Sequence, residues 1–174
     1  VIEREYCGAG ASGRNGGWVN GWDDILPKLV KDGVACYAYD FATNVVPGED
    51  PYNRGYWRDI GTIDAYWEAQ MDLIAIQPLF NLYNMRWPLR TGMTHDPPAK
   101  FVFREEAQAR MGIATDSMVP HGCIISGGRL HRCVLGLGCR INSFSEVEES
   151  VLFDGVRIGR HARIRRAIID KDVE

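Results

Sequence analysis

A single carboxylate in a short loop is the first group in the sequence that could do chemistry. Asp59 follows Trp57 and Arg58 and stands just before the point, near Thr62, where a helix is predicted to begin. A carboxylate offers the hard oxygen ligands that Mg²⁺ prefers, and loops of α/β folds commonly collect ligands. An isolated Trp-Arg-Asp triplet is nevertheless more often a salt bridge or a helix cap. Spacing alone therefore favours a structural role for Asp59 and leaves the metal site open.

A second candidate is a glycine motif near the start of the chain. Residues 8–13, GAGASG, satisfy the G-x-G-x-x-G pattern of dinucleotide-binding folds. That pattern needs a strand before it and a helix after it, because the helix N-terminus binds the pyrophosphate. Residues 14–18, RNGGW, follow instead, and no helix is expected to begin there. We therefore do not predict a nucleotide-binding loop here.

The cysteines show no metal-binding pattern. They are Cys7, Cys36, Cys123, Cys133 and Cys139. None forms a Cys-x-x-Cys pair, and the six-residue spacing between the last two matches no common zinc site. An odd number of cysteines without a signal peptide predicts reduced thiols, packed as small buried side chains, in a cytoplasmic protein.

Two segments could bind an anion. Ser126, Gly127 and Gly128 could form a turn whose successive backbone N–H groups face an anion, although an ordinary corner between strands explains them as well. Residues 157–166 contain five arginines. Without a broad basic face and stacking aromatic side chains, they do not predict nucleic-acid binding. A solvated face paired with the glutamates of residues 146–149 is favoured, and a subunit interface or an anion site is the alternative.

Composition limits the class of protein. The chain has 174 residues and a net charge of −3, with 45% apolar and 25% charged residues, which predicts a folded domain rather than a disordered chain. Its apolar runs are too short to cross a bilayer. We find no basic segment followed by an apolar one, the pattern typical of a secretion signal, at the start of the sequence. We expect neither a membrane nor nucleic acid as a partner.

The elements that must position these residues change type near Met118. All five Trp and all seven Tyr precede it. In this first part the sequence predicts a helix over residues 23–31, a strand over 34–41 and a helix over 63–76 that Thr62 caps and Pro78 ends. This order indicates an α/β domain.

After Met118 the period is that of a solenoid. Apolar triplets at residues 133–135, 150–152 and 167–169 recur every 17 residues, and a fourth triplet at 123–125 precedes them by ten, which suggests an irregular coil. The expected corners are Gly122, Gly136, Gly138, Gly155 and Gly159. Three short strands per coil predict a parallel β-helix, with a β-sandwich as the alternative.

One longer run gives a specific resemblance. Residues 56–69, YWRDIGTIDAYWEA, closely resemble bacterial ADP-glucose pyrophosphorylase, also called glucose-1-phosphate adenylyltransferase. Further pieces follow in that family's order: 24–27 (DILP), 81–84 (NLYN), 87–91 (WPLRT), 98–102 (PAKFV), 125–128 (ISGG) and 169–171 (IDK). The resemblance covers roughly residues 22–174.

The resemblance implies a fold and a reaction. The family forms ADP-glucose and pyrophosphate from ATP and glucose 1-phosphate, with Mg²⁺, in glycogen biosynthesis. Its subunit joins a Rossmann-like nucleotidyltransferase domain to a left-handed β-helix, usually in a homotetramer. We therefore expect residues 1–100 to be a partial nucleotidyltransferase domain, 101–117 a linker, and 118–174 a β-helix that lacks its last coils.

The resemblance also implies roles for single residues. Asp59 matches a magnesium ligand, and Trp57 matches a position beside the glucose. The segment Ser126-Gly127-Gly128 and Lys171 match positions implicated in binding an anionic glycolytic activator. The family's sugar-binding aspartate has no clear match, so either Asn20 or Asp23 stands in its place.

The sequence also departs from the family pattern, and these differences limit the activity that we expect from the chain. Residues 1–18 match nothing that we could align, and the family's phosphate loop and catalytic aspartate are expected upstream of Val1, so we expect no turnover from these 174 residues alone. The alternatives are a non-catalytic regulatory or scaffold subunit that uses the β-helix for effector binding and oligomerisation, or another sugar-1-phosphate nucleotidyltransferase.

Overall fold

A computed structural model divides the chain into two compact units, Val1–Tyr66 and Trp67–Glu174. The structure describes residues 25–37, 39–53, 55–90, 92, 94–105, 107 and 110–174. Among these residues, no helix is long and apolar enough to span a membrane.

The described part of the first unit begins with a short helix. Helix α1, Leu26–Lys31, has a proline in its first turn, and Gly33 at φ 73° follows its end. This arrangement suits both residues, because proline is compatible with a helix start and glycine with the left-handed conformation after a helix. The predicted helix over 23–31 is confirmed over its described residues. Two short 3₁₀ helices, Phe41–Thr43 and Pro51–Asn53, follow.

The strand predicted over residues 34–41 is wrong for the residues described there. Residues 34–37 and 39–40 are exposed and form no strand, and Phe41 begins a 3₁₀ helix instead. Asp40 caps that helix by accepting a hydrogen bond from the N–H of Ala42 at 3.1 Å. An alternating sequence becomes a strand only beside another strand, and the described residues of this unit supply none.

Helix α2, Ile63–Leu73, is the long helix that the sequence predicts. The hydroxyl of Thr62 accepts a hydrogen bond from the N–H of Ala65 at 3.1 Å, which confirms the predicted cap. The helix ends three residues before the predicted position, in a tighter last turn in which the N–H of Ala75 donates to the carbonyl of Asp72.

The second unit contains a left-handed β-helix of about three turns. Its strands and the short arm attached to them are β1 Lys100–Val102, β2 Arg104–Glu105, β3 Arg110–Met111, β4 Ile113–Thr115, β5 Ile124–Ser126, β6 Arg129–His131, β7 Val134–Leu135, β8 Arg140–Ile141, β9 Glu146–Glu148, β10 Val151–Leu152, β11 Arg157–Ile158, β12 Arg163–Arg165 and β13 Ile168–Ile169.

Three parallel sheets form the faces of this β-helix. Their strand orders are β1-β5-β8-β11, β4-β6-β9-β12 and β7-β10-β13. The triplets at 17-residue intervals form the third sheet, as predicted, with Val134, Val151 and Ile168 in register. The triplet at 123–125 lies on the first sheet, where Ile125 pairs with Ile141. Its ten-residue offset therefore marks another face of the solenoid rather than an irregular coil.

Pairing of the β-helix strands begins before Met118. Strand β1 pairs with β5, and β4 pairs with β6, so both belong to the solenoid although we expected residues 101–117 to be a linker. Between β1 and β4, strands β2 and β3 form an antiparallel arm. The arm hides the solenoid period, because it inserts extra residues at one corner.

The core lies inside the β-helix and is made of small and medium apolar side chains. Its most buried members are Cys123, Ile125, Leu130, Cys133, Cys139, Ile141, Val147, Leu152 and Val156. Strand alternation turns successive side chains to opposite faces, and no aromatic side chain is among the buried residues described.

The chain turns the corners of the β-helix at residues with positive φ, and the residue types at these positions differ between the three edges. One edge uses Gly122, Gly138, Gly155 and Asp172; a second uses Phe103, Gly127, Phe144 and His161; the third, the charged corner edge, uses Asp116, Arg132, Glu149 and Arg166. The sequence predicted glycine corners, but Gly136 and Gly159 are not among the residues with positive φ. The charged corner edge contains no glycine, so the expectation of glycine corners did not predict it.

Candidate functional site

Asp59 lies in an ordered turn immediately before α2. Its Oδ1 accepts a hydrogen bond from the N–H of Gly61 at 3.0 Å, and the side chain is exposed. Gly61 fits closely there, because a Cβ at that position would lie 3.2 Å from Oδ1. The turn thus holds the carboxylate at the start of a capped helix while leaving it open to solvent.

The carboxylate fits a divalent cation only as one ligand among several. Among the described residues, no group of three or more His, Cys, Asp or Glu side chains could hold a metal ion. Mg²⁺ is commonly bound by one or two carboxylates together with substrate phosphates and water, so one exposed carboxylate is compatible with such a site. Asp59 does not cap α2, because Thr62 does so, but it stabilises the turn that leads into the helix.

Trp57 presents an apolar surface close to Asp59 in the sequence. Its side chain is 65% exposed, which leaves the ring available to a ligand. An aromatic ring next to a sugar site is chemically suitable, because it combines a large apolar face with a polar edge. Asn20 and Asp23, the two candidates for binding sugar hydroxyls, lie outside the described residues.

The predicted effector segment forms the corner between β5 and β6. The N–H of Gly127 donates to the carbonyl of Val102 at 3.0 Å, so this N–H is used within the β-helix. Gly128 is closely packed, because a Cβ there would lie 2.7 Å from both Ile141 and Ser145. The corner interpretation therefore accounts for both glycines, and anion binding by their N–H groups stays a prediction.

Arg110 places a positive charge at the same corner. Its Nε donates to the hydroxyl of Ser143 at 2.9 Å, and that hydroxyl donates to the carbonyl of Ser126 at 2.8 Å. The guanidinium stacks 3.3 Å from the ring centre of Phe103. A Cβ on Gly127 would lie 2.9 Å from Arg110 Cγ, so the glycine makes room for this side chain. No sequence pattern pointed to Arg110, because the arm that carries it interrupts the repeat.

Lys171 stands on a different edge of the β-helix. It precedes Asp172, whose N–H donates to the carbonyl of Asp154 and which continues the edge of Gly138 and Gly155. Its own N–H donates to Asp170 Oδ1 at 2.8 Å. The structure therefore separates Lys171 from Ser126, Gly127 and Gly128 onto two corners, and its role in binding an effector stays a prediction.

Two of the five arginines of residues 157–166 form the solvated face, paired with glutamates, that the sequence favours, whereas Arg157 pairs with Glu174 instead. Arg163 lies 3.5 Å from Glu146, and Arg165 lies 3.6 Å from Glu148, both across neighbouring strands β12 and β9. These side chains are largely exposed, so their pairing adds little stability.

The three described cysteines of the β-helix are buried free thiols, as predicted, whereas the prediction is wrong for Cys36, which is a free but exposed thiol. Burial raises the pKa of the Cys133 thiol. The hydrogen bond to Cys123, together with burial, raises the pKa of the Cys139 thiol. The Cys133 and Cys139 thiols therefore stay protonated in the folded protein, whereas the hydrogen bond with Cys139 lowers the pKa of the Cys123 thiol.

Two family models match successive parts of the chain. The nucleotidyl transferase model matches residues 20–75, which include Trp57 and Asp59, and the GlmU-like C-terminal hexapeptide model matches residues 97–174. The curated proteins that match this chain across both regions carry the same enzyme name. The chain is related to the glucose-1-phosphate adenylyltransferases.

Three bacterial glucose-1-phosphate adenylyltransferases illustrate the similarity. The protein from Anaeromyxobacter sp. is 57% identical over 138 residues, covering 79% of this chain and 34% of the relative. The protein from Trichlorobacter lovleyi is 51% identical over 149 residues, covering 86% and 36%. The protein from Deinococcus radiodurans is 47% identical over 169 residues, covering 97% and 40%.

The extent of these alignments has two consequences. The chain spans between about one third and two fifths of the length of these adenylyltransferases. Because the Deinococcus radiodurans alignment covers 97% of the chain, it also reaches into residues 1–18, for which we expected no counterpart.

Proposed function

We propose that this chain supplies the metal-binding loop and the β-helix of an enzyme that forms ADP-glucose and pyrophosphate from ATP and glucose 1-phosphate. The observation that carries the proposal is 47–57% identity to proteins named for this activity, across both matched regions. The ordered, exposed Asp59 carboxylate ahead of α2 supports it. The product would serve glycogen synthesis in the cytoplasm.

Asp59 and Trp57 have different tasks in this proposal. A Mg²⁺ ion, when bound, neutralises the charge that develops on the phosphate oxygens during adenylyl transfer. Asp59 contributes one carboxylate to its binding, and the hydrogen bond from Gly61 holds that carboxylate in place. Trp57 provides the apolar surface against the glucose ring, and Asn20 or Asp23 binds the sugar hydroxyls.

Regulation and assembly are assigned to the β-helix. We propose that Ser126, Gly127, Gly128 and Lys171 contribute to binding an anionic glycolytic effector, and that the enzyme is a homotetramer. The cationic Arg110 beside Gly127 supports an anion at that corner. No nucleic acid or membrane partner is proposed.

A chimeric enzyme tests the proposed activity. Residues 25–174 replace the aligned region of the Deinococcus radiodurans relative, and ADP-glucose formation is measured. We expect an active chimera, and we expect Asp59→Asn to lower kcat by about 100-fold or more, because an amide is a poor substitute for a carboxylate ligand of a hard cation.

Asp64→Asn is the matched control, because Asp64 is an exposed acidic residue in the first turn of α2. It should retain most of the activity. A folded chimera that forms no ADP-glucose, or one whose activity is unaffected by Asp59→Asn, contradicts the proposal.

A further inference from the structure

Two cysteines occupy the same position on neighbouring coils of the β-helix. Cys123 immediately precedes β5, and Cys139 immediately precedes β8. The N–H of Ile124 donates to the carbonyl of Cys139 at 2.9 Å, and the residue after each member of this row donates in the same way to the next member. The row consists of Ala99, Cys123, Cys139, Val156 and Val173. Two thiols therefore stand side by side in a row of small side chains.

The register of the first sheet brings these two thiols together. Ile124 pairs with Arg140 across the parallel strands β5 and β8, so Cys123 and Cys139, one residue earlier, are also neighbours. Neighbouring strands are about 4.8 Å apart, which lies within the Cα separations that a disulfide accepts. Both side chains are 0% exposed, belong to the same core cluster and are hydrogen-bonded to each other. The pair can therefore be joined without moving one coil away from the other.

The two thiols of this pair differ in acidity. The hydrogen bond from the Cys139 thiol lowers the pKa of the Cys123 thiol, although burial opposes the effect. The hydrogen bond with Cys123, followed by burial, raises the pKa of the Cys139 thiol. The thiolate is the form of cysteine that attacks an oxidant. Cys123 is therefore suited to attack, and Cys139 is the thiol that keeps its proton.

The third buried thiol has serines at its position on the neighbouring coils. Cys133 is also 0% exposed, and its N–H donates to the hydroxyl of Ser117 at 2.9 Å. On the other side, the N–H of Val134 donates to the carbonyl of Ser150 at 3.0 Å. Burial raises the pKa of the Cys133 thiol. Cys133 is thus an internal comparison that is equally buried but lies between hydroxyl groups.

We propose that Cys123 and Cys139 are a redox-active dithiol, which a peroxide converts into a disulfide between two adjacent coils. The pair lies wholly within the β-helix, so its oxidation does not depend on the proposed function. Because both sulfur atoms are enclosed in a close-packed core, a small uncharged oxidant such as hydrogen peroxide is suited to reach them.

The oxidation takes place in two balanced steps. The Cys123 thiolate attacks one oxygen of hydrogen peroxide, the O–O bond breaks, and the departing hydroxide takes up a proton to form water, which leaves Cys123 as a sulfenic acid. The Cys139 sulfur then attacks the Cys123 sulfur, the S–O bond breaks, and the hydroxyl group leaves with the Cys139 proton as water. The two thiols together lose two electrons and two protons, and the peroxide is reduced to water.

Peptide mapping of the folded protein tests this proposal. Cys7→Ser and Cys36→Ser leave the three thiols of the β-helix. This parent is treated with hydrogen peroxide, unfolded with N-ethylmaleimide and digested with trypsin, which places Cys123 in the peptide 111–129 and Cys139 in the peptide 133–140. We expect these two peptides to be linked and dithiothreitol to separate them. Fragmentation should place the link at Cys139 and show Cys133 as an alkylated thiol.

Two variants separate pairing from mere oxidation. Cys139→Val introduces the residue type that Val156 already provides in the same row. It should form no linked peptide, and dimedone should trap the sulfenic acid of Cys123 at least about tenfold faster than that of Cys133. Cys133→Ser is the matched control, because Ser117 and Ser150 occupy its position on the neighbouring coils, and it should form the link at the rate of the parent.

Three outcomes would overturn the proposal. One is the absence of the linked peptides in a protein that circular dichroism shows to be folded. Another is a link from Cys123 to Cys133 instead of Cys139. The last is trapping of Cys123 and Cys133 at equal rates, because unfolding rather than the pairing would then control the reaction. The first two are measured in the parent, so they decide the question even where a variant does not fold.

Discussion

Three glycines of the β-helix meet three different surroundings. A Cβ on Gly136 would lie 2.4 Å from Asp154 Oδ1 and 2.5 Å from its backbone nitrogen. Gly138 has open space around it but a φ of 68°, and Gly159 has open space and no positive φ. Close packing therefore explains Gly136 and backbone conformation explains Gly138, whereas neither explains Gly159.

These surroundings predict an order of stability for three alanine variants. Gly136→Ala should lower the free energy of unfolding by about 2 kcal/mol or more, because backbone must move. Gly138→Ala should lower it by about 1 kcal/mol through the left-handed conformation alone. Gly159→Ala should raise it by about 0.5 kcal/mol by restricting the unfolded chain. Urea unfolding of the three variants measures the order, and a Gly136→Ala variant as stable as Gly159→Ala would contradict it.

Among the elements, the second sheet shows how the 17-residue period places charges beside one another. Strands β6, β9 and β12 each present two exposed residues around one inward residue, so that His131, Glu148 and Arg165 follow one another across the sheet. Because these side chains are largely exposed, opposite charges on neighbouring strands add only a small stabilisation to the pairing. The sequence showed these charges as a cluster, and the register resolves them into pairs.

Reversing one charge on this sheet should destabilise the protein, and reversing the charge of its partner as well should restore the stability. Glu148→Arg places three basic side chains in a row and should lower the free energy of unfolding by about 0.5 kcal/mol at low salt. Adding Arg165→Glu restores an opposite pair and should recover most of that loss. A double-mutant cycle in urea measures the coupling, which should shrink in 1 M salt because these side chains are exposed. A coupling that does not depend on salt would rule out the electrostatic explanation.

Across the whole molecule, burial is distributed unequally between the two units. None of the described residues between 25 and 66 is buried, whereas the β-helix encloses a continuous core. Apolar side chains such as Tyr37, Tyr52 and Trp57 are largely exposed in the first unit. The free energy of unfolding of the described residues therefore comes mainly from the solenoid, including its buried thiols.

The buried Cys133 thiol predicts a loss of stability at high pH. The pKa of Cys133 is raised in the folded protein by burial. Its contribution is therefore fully present below the unfolded thiol pKa of about 8.5 and is lost as pH rises above it, because only the unfolded chain releases the proton. The slope from one thiol is at most about 1.4 kcal/mol per pH unit.

Cys133→Ala should reduce this slope between pH 8 and pH 10, as measured by urea unfolding. Cys36→Ala is the control, because Cys36 is exposed and its removal should leave the slope unchanged. Equal slopes in the parent protein and in Cys133→Ala would show that this thiol is not the cause.

The sequence by itself determined the repeat, the capped helix and the resemblance to the glucose-1-phosphate adenylyltransferases. The apolar triplets with a 17-residue period and the Thr62 cap are local patterns. Such patterns can be recognised in the sequence without knowing which segments lie beside them in space. Tertiary structure alone decided that residues 34–37 and 39–41 form no strand, that β1 and β4 belong to the β-helix, and that Arg110 donates a hydrogen bond to Ser143. Each of these depends on what lies beside a segment in space, and strand pairing, corner contacts and burial join residues that are distant in the chain.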